Sequence, residues 1–151
     1  MIEGAVVKEL KAHCDERGRV MELVRNDDEF FTKFGQVYMT TNYPQVVKAW
    51  HCHKKQIDYV VCVSGMIKMV LFDDREKSPT YGKIEEYFIG EYNYSLIKIP
   101  CGVYHGWKCI SEKESIVIST ITEPYDAANP DEIRIPFNTK KIPYNWEIVF
   151  R

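Results

Sequence analysis

Residues 50–65, WHCHKKQIDYVVCVSG, and residues 100–105, PCGVYH, together hold three of the four histidines in the chain. Residues two apart in an extended strand project to one face, so His51 and His53 point the same way and Cys52 points opposite. Two imidazoles therefore converge on one volume. Asp58 follows after a short turn and Gly65 closes the next strand, giving H-x-H-x4-D-x6-G; the second segment reads P-x-G-x2-H. Around these segments the chain is rich in β-branched and aromatic runs: Gln36–Thr40, Val46–Trp50, Tyr59–Val63, Met66–Phe72, Ile84–Ile89, Leu96–Ile99 and Ser115–Thr122. Asn42-Tyr43-Pro44, Ser64-Gly65, Asp73-Asp74, Ser78–Gly82 and Pro100-Cys101-Gly102 separate them with turn chemistry. Short strands at near-regular spacing predict a mostly β sandwich or barrel. The one helix the pattern predicts is Asp27–Phe34, with acidic residues in its first turn and Gly35 after its last.

The bounds narrow what such a site serves. With 151 residues, 45% of them apolar, the chain fills one core, and we read a single domain over 1–151. Residues 1–45 hold N-terminal strands, 46–124 the barrel core and 125–151 an extended tail, where Pro130, Pro136 and Pro143 enter. Twenty Lys and Arg against 22 Asp and Glu give no basic field for nucleic acid. No stretch nears the roughly 20 apolar residues that span a bilayer. Five cysteines, an odd number without a CxxC pair, fit a reducing compartment, so the expected location is the cytoplasm.

The two histidine segments resemble the paired motifs of the cupin superfamily, which implies a double-stranded β-helix (jelly-roll) barrel. Gln45 stands where the first motif starts with Gly and Cys109 where the second ends with Asn. In that superfamily the matching residues, here His51, His53, Asp58 and His105, meet inside the barrel and usually bind a divalent metal. Such a set would suit Zn, Fe, Mn or Ni. The alternative is a barrel wall of hydrogen-bonded histidines without metal. Cys62 and Cys109 share strand parity with Asp58 and His105, and read as buried thiols.

A more specific resemblance covers most of the chain. Asp15-Glu16-Arg17-Gly18 followed by Glu22, the stretch Lys48–His51, Gln56 before a Val-rich strand, Asp74-Arg75 leading into SPTYGK (78–83), PCGVYHGW (100–107) and Trp146 together resemble the dTDP-4-dehydrorhamnose 3,5-epimerase family. The resemblance implies an enzyme that needs no cofactor and acts on a dTDP-4-keto-6-deoxyhexose. A histidine takes a proton next to the ketone and a tyrosine on the opposite face returns one. It places His51 at the base position, His105 at the second pocket histidine, and Arg17 and Lys48 at the nucleotide diphosphate. Glu22, Gln36, His53 and Gln56 join the substrate contacts. It also implies a homodimer, whose N-terminal strands cross to the partner barrel.

Several positions depart from the family: Lys48 stands where it has an arginine, His53 where it commonly has a glutamine, and three more fall on the catalytic set. Asp58 replaces a lysine near the substrate carbonyl, Ser119 aligns with the proton-donating tyrosine, and Asn138 falls near the aspartate that partners the base. An ionised Asp58 would repel a developing enolate. Either a metal held by the four residues does the lysine's work, with His51 then a ligand, or the site is metal-free and Asp58 orients a histidine or serves as a base. The expected function is a nucleotide-sugar epimerase or isomerase; the alternatives are a metal-dependent cupin enzyme on another small molecule and a non-catalytic sugar-binding cupin.

Overall fold

Alternation of β-branched and polar residues becomes twelve strands in this computed structural model, which describes residues 1–149. They are β1 (Val6–Glu9), β2 (Ala12–Asp15), β3 (Gly18–Met21), β4 (Gln36–Asn42), β5 (Val47–Cys52), β6 (Asp58–Ser64), β7 (Met66–Asp73), β8 (Ile84–Gly90), β9 (Ser95–Ile99), β10 (Val103–Cys109), β11 (Ser115–Ile121) and β12 (Ile133–Arg134). Two five-stranded antiparallel sheets, ordered β1-β9-β6-β11-β4 and β12-β5-β10-β7-β8, pack face to face, and β2-β3 forms a separate hairpin. This is the jelly-roll barrel the motifs imply. The inward faces meet in one apolar cluster, with Val60, Cys62, Ile97 and Val117 from one sheet against Ile67, Met69, Leu71 and Trp107 from the other. Burying side chains of this size contributes roughly 1.5–3 kcal/mol each before chain entropy is set against it.

The predicted helix over Asp27–Phe34 is absent, and no helix occurs among the described residues. Eight residues are too few to hold a helix without tertiary help, and the tertiary contacts pull this segment elsewhere. The Asp28 carboxylate accepts from the Arg25 backbone N–H and from Lys8 Nζ at 2.6–2.9 Å. Phe31 stacks on Tyr59, and the Thr32 N–H donates to the Tyr59 hydroxyl. Two successive turns satisfy both demands.

Strand β10 was legible only as a motif, because Gly106, His105 and Lys108 dilute its β pattern. Pairing with β5 on one side and β7 on the other overrides that weak local preference. Gln45, where the motif expects Gly, holds the left-handed conformation (φ 66°) that glycine would adopt there without steric cost.

The SPTYGK segment is a clamp away from the histidines. The buried Asp73 carboxylate accepts from Arg75 Nε (2.8 Å), Ser78 Oγ (2.6 Å) and Thr80 Oγ1 (2.6 Å), while Thr80 and Arg75 reach the Glu3 backbone. Burial alone would raise the Asp73 pKa, but these donors hold it far below the usual carboxylate range. On the outer side of the second sheet, the tail packs Ile142, Tyr144 and Trp146 against Trp50, whose ring lies 4.9 Å from that of Trp146.

Candidate active site

His51 and His105 are direct cross-strand partners on β5 and β10, so register alone puts their rings on one face, with centroids 6.0 Å apart. A β-bulge between His105 and Gly106 shifts the register, pairing Gly106 with Ala49 and leaving Trp50 to bond with Ile135 of the tail. The histidine row thus faces inward while the indole turns to the outer cluster. Asp58 enters from the opposite sheet as the first residue of β6.

These side chains line a cavity of about 890 Å³, of a size ordinary for small-molecule sites. One wall is β4, through Gln36, Tyr38 and Thr40; the other is β5 and β10, through Lys48, His51, His105 and Trp107. The tail closes the rim with Tyr125, Asp131, Glu132 and Arg134.

Asp58 is only 2% exposed and fully partnered. Its Oδ2 lies 3.2 Å from His105 Nε2 and 3.6 Å from His53 Nε2, and its Oδ1 accepts from Gln56 Nε2 at 2.6 Å. Burial pushes its pKa up, but the His105 hydrogen bond and the neighbouring imidazoles win and hold it below the usual range. His53 Nδ1 meets the Asp131 carbonyl, and the Asp131 carboxylate in turn accepts the backbone N–H groups of Lys54, Lys55 and Gln56 at 2.8–3.1 Å. The loop carrying His53 is therefore pinned from the tail.

His51 differs from its neighbours. Desolvation, followed by the charges of His105, Arg134 and His53, lowers its pKa to about 4 against an opposing pull from Glu132. At neutral pH it is an uncharged imidazole facing the cavity, able to accept a proton.

The four-residue metal set of His51, His53, Asp58 and His105 is not assembled as expected. One ligand atom each from His53, Asp58 and His105 lies within 4.8 Å of the others, and His51 stands outside this trio. The reason is positional: His51 sits within β5, opposite His105, whereas His53 lies past the strand end on the loop that turns toward Asp58. Those three residues could hold a divalent cation and leave His51 free.

Gln36, Lys48, His53 and Gln56 all reach the cavity. Lys48 Nζ donates to the Thr41 carbonyl at 2.7 Å, and Gln36 Oε1 accepts from the Tyr125 N–H. Arg17 and Glu22 do not reach it. Arg17 tips the β2-β3 hairpin with its side chain 85% exposed and paired to Asp15, and Glu22 pairs with Arg25. Ser119 is buried beneath the wall, and Asn138 is exposed outside it; the carboxylate near His51 is Glu132. Cys62 and Cys109 are core thiols, burial pushing that of Cys62 up to about 12. Sequence reasoning missed Tyr38, Thr40 and Trp107, yet each lies two or four residues from a flagged residue on its own strand, a same-face spacing. The tail residues carried no such signal.

Comparison with known proteins bears on the whole chain. The family model described as dTDP-4-dehydrorhamnose 3,5-epimerase matches residues 1–150. The spore coat polysaccharide biosynthesis protein SpsL of Bacillus subtilis strain 168 is 42% identical over 151 residues, all of both chains. A Haloferax volcanii protein named "Probable low-salt glycan biosynthesis epimerase Agl13" is 42% identical over 147 residues, covering 96% of this chain and 94% of its own. The crystal structure of a dTDP sugar isomerase from Desulfovibrio desulfuricans G20 superposes with a TM-score of 0.91 at 32% identity, covering 96% of this chain and 92% of the other.

Proposed function

This chain belongs to the dTDP-4-dehydrorhamnose 3,5-epimerase family, and from that membership we propose that it is an isomerase of nucleotide-linked 4-keto-6-deoxyhexoses with His51 as the base. The observation that carries this reading is the placement of His51, opposite His105, on the wall of a cavity of about 890 Å³. A ketone acidifies the neighbouring C–H; His51 takes that proton and the C–H electron pair moves into the enolate. Positioned proton transfer of this kind is worth about 10²–10⁴ in rate. Asp58 is engaged by His105 and Gln56, so it acts by orienting His105 rather than as the base, and its charge is met before an enolate forms. Lys48 supplies a cation on the cavity wall for the diphosphate, as a point charge rather than a bidentate fork. The reaction needs no cofactor.

The test is incubation with dTDP-4-keto-6-deoxyglucose, and with the same sugar on other nucleotides, in deuterated buffer. Deuterium is expected at a ring carbon beside the ketone, and His51→Asn should slow its entry by about 10² or more. No deuterium at any ring carbon with any nucleotide would sink the assignment.

Arg17 lies outside its own cavity, and the β4 edge exposes Val37 and Met39. Both support a homodimer in which the β2-β3 hairpin completes the partner's site. Mixing inactive Arg17→Ala and His51→Ala chains should then restore activity, because one composite site in the mixed dimer is intact. Five free cysteines support a cytoplasmic location, and the spore coat and glycan roles named for the relatives support a place in polysaccharide biosynthesis. A second reading, a divalent cation on His53, Asp58 and His105, is favoured by their ligand-like spacing. It would add Lewis-acid polarisation of the sugar carbonyl, and elemental analysis of the purified protein decides it.

A further inference from the structure

Inversion at a carbon needs proton traffic on both faces of the enolate, and His51 serves one. The position aligned with the family's tyrosine holds Ser119, whose side chain is 1% exposed and does not reach the cavity. Ser119 is, however, the direct cross-strand partner of Tyr38 on β4, so the two side chains share the inward face of that sheet. Tyr38 lines the cavity from β4 and, at 37% exposed, is only partly buried there.

We propose that Tyr38 is the second proton carrier of this site, standing on the wall opposite His51 and replacing the tyrosine lost at Ser119. The inference rests on the epimerase reading above. His51 belongs to β5 of one sheet and Tyr38 to β4 of the other, so a sugar ring seated between them presents one face to each. In the step, the enolate electron pair forms a new C–H bond with the Tyr38 hydroxyl proton as the O–H bond breaks. The resulting tyrosinate takes a proton from water, and protonated His51 returns its own to solvent, so the enzyme is regenerated without net charge. Burial, reinforced by the nearby Asp58 charge, raises the Tyr38 pKa to about 12 with Ser119 acting against the shift, so the phenol enters each turnover carrying its proton. Tyr125 is the other tyrosine lining the cavity among the described residues, but it lies on the tail and is 62% exposed.

The experiment compares Tyr38→Phe with the unmodified chain in deuterated buffer, reading by NMR both deuterium entry and inversion at the same carbon. The ring is kept, so packing on β4 is little changed. In Tyr38→Phe, His51 still removes and returns hydrogen on one face. Deuterium should therefore enter with retained configuration within about threefold of the normal rate, while inversion falls by about 10² or more. A purely structural role would lower both together. Normal inversion by Tyr38→Phe, an equal loss of both signals, or the same split appearing in Tyr125→Phe instead would each overturn the assignment. No deuterium entry in the unmodified chain would overturn the epimerase reading and this inference with it, whereas the other outcomes strike Tyr38 alone.

Discussion

Gly106→Ala is expected to damage activity more than stability. A methyl group on Gly106 would meet two backbone atoms of β5, Ala49 Cα and Lys48 O, each at 2.8 Å, with the Ala49 methyl closer still. Neither backbone atoms nor a Cβ fixed to them can rotate away, and comfortable contact needs about 3.5 Å, so β10 and β5 must part locally by roughly 0.7 Å for the backbone contacts and about 1.2 Å for the Ala49 methyl. Overpacking of this kind costs about 1–3 kcal/mol. For a chain of this length, 2 kcal/mol lowers Tm by about 4–8 °C. The same displacement falls between His105 and Trp107 on β10 and beside His51 on β5, the residues whose spacing defines the cavity wall. Misplacement approaching 1 Å costs up to about 10² in rate. We expect thermal unfolding of Gly106→Ala to show that modest loss and deuterium exchange into the ketosugar to slow by about ten- to a hundredfold. Adding Ala49→Gly removes the closest contact and should recover part of both. A Gly106→Ala chain with unaltered Tm and unaltered exchange rate would refute the claim that close strand approach sets the histidine geometry.

The acid limb of kcat/KM should lie well below an ordinary histidine. The active form of His51 is neutral and its pKa is lowered to about 4 by burial, with His105, Arg134 and His53 adding to the shift and Glu132 opposing it. At pH 5.5 about 97% would be neutral, against about 9% for a group at the usual 6.5, so a pH profile falling tenfold between pH 7.5 and 5.5 counts against it. Asp73→Asn should cost about 3 kcal/mol in chemical denaturation, since it strips a buried charge from Arg75. Because the folded pKa lies below the unfolded value of about 3.9, that difference is present above about pH 4 and shrinks as pH falls further; a pH-independent difference would contradict the charge-based account.

The histidine site was legible because the paired cupin-like motifs bring His51, Asp58 and His105 together. His51, Asp58 and His105 project into the cavity as spacing and motif required. What was not legible depends on contacts between distant segments. The signals for a helix at Asp27–Phe34 are genuine, but Asp28 gives its carboxylate to Arg25 and Lys8, and Phe30 and Phe31 go to Tyr59. The metal quartet failed because β5 ends at Cys52, which sends His53 to Asp58 and leaves His51 behind. The SPTYGK segment pointed to the family correctly, yet its work is to hold the Asp73 clamp.

The substitutions at Asp58 and Ser119 are easier to understand together than singly. A carboxylate in place of a lysine reverses a charge in a nearly dry position, which is tolerable only if partners meet it there. His105, His53 and Gln56 do so at 2.6–3.6 Å. His53, the histidine absent from the resembled pattern, thus accompanies the new carboxylate without being a base. Beside Ser119, β4 runs in fixed register with β11, so the Tyr38 side chain opens onto the cavity next to it. His51 and Tyr38 thus face the cavity from different sheets. On the proposed mechanism, these two walls supply the two faces that inversion demands.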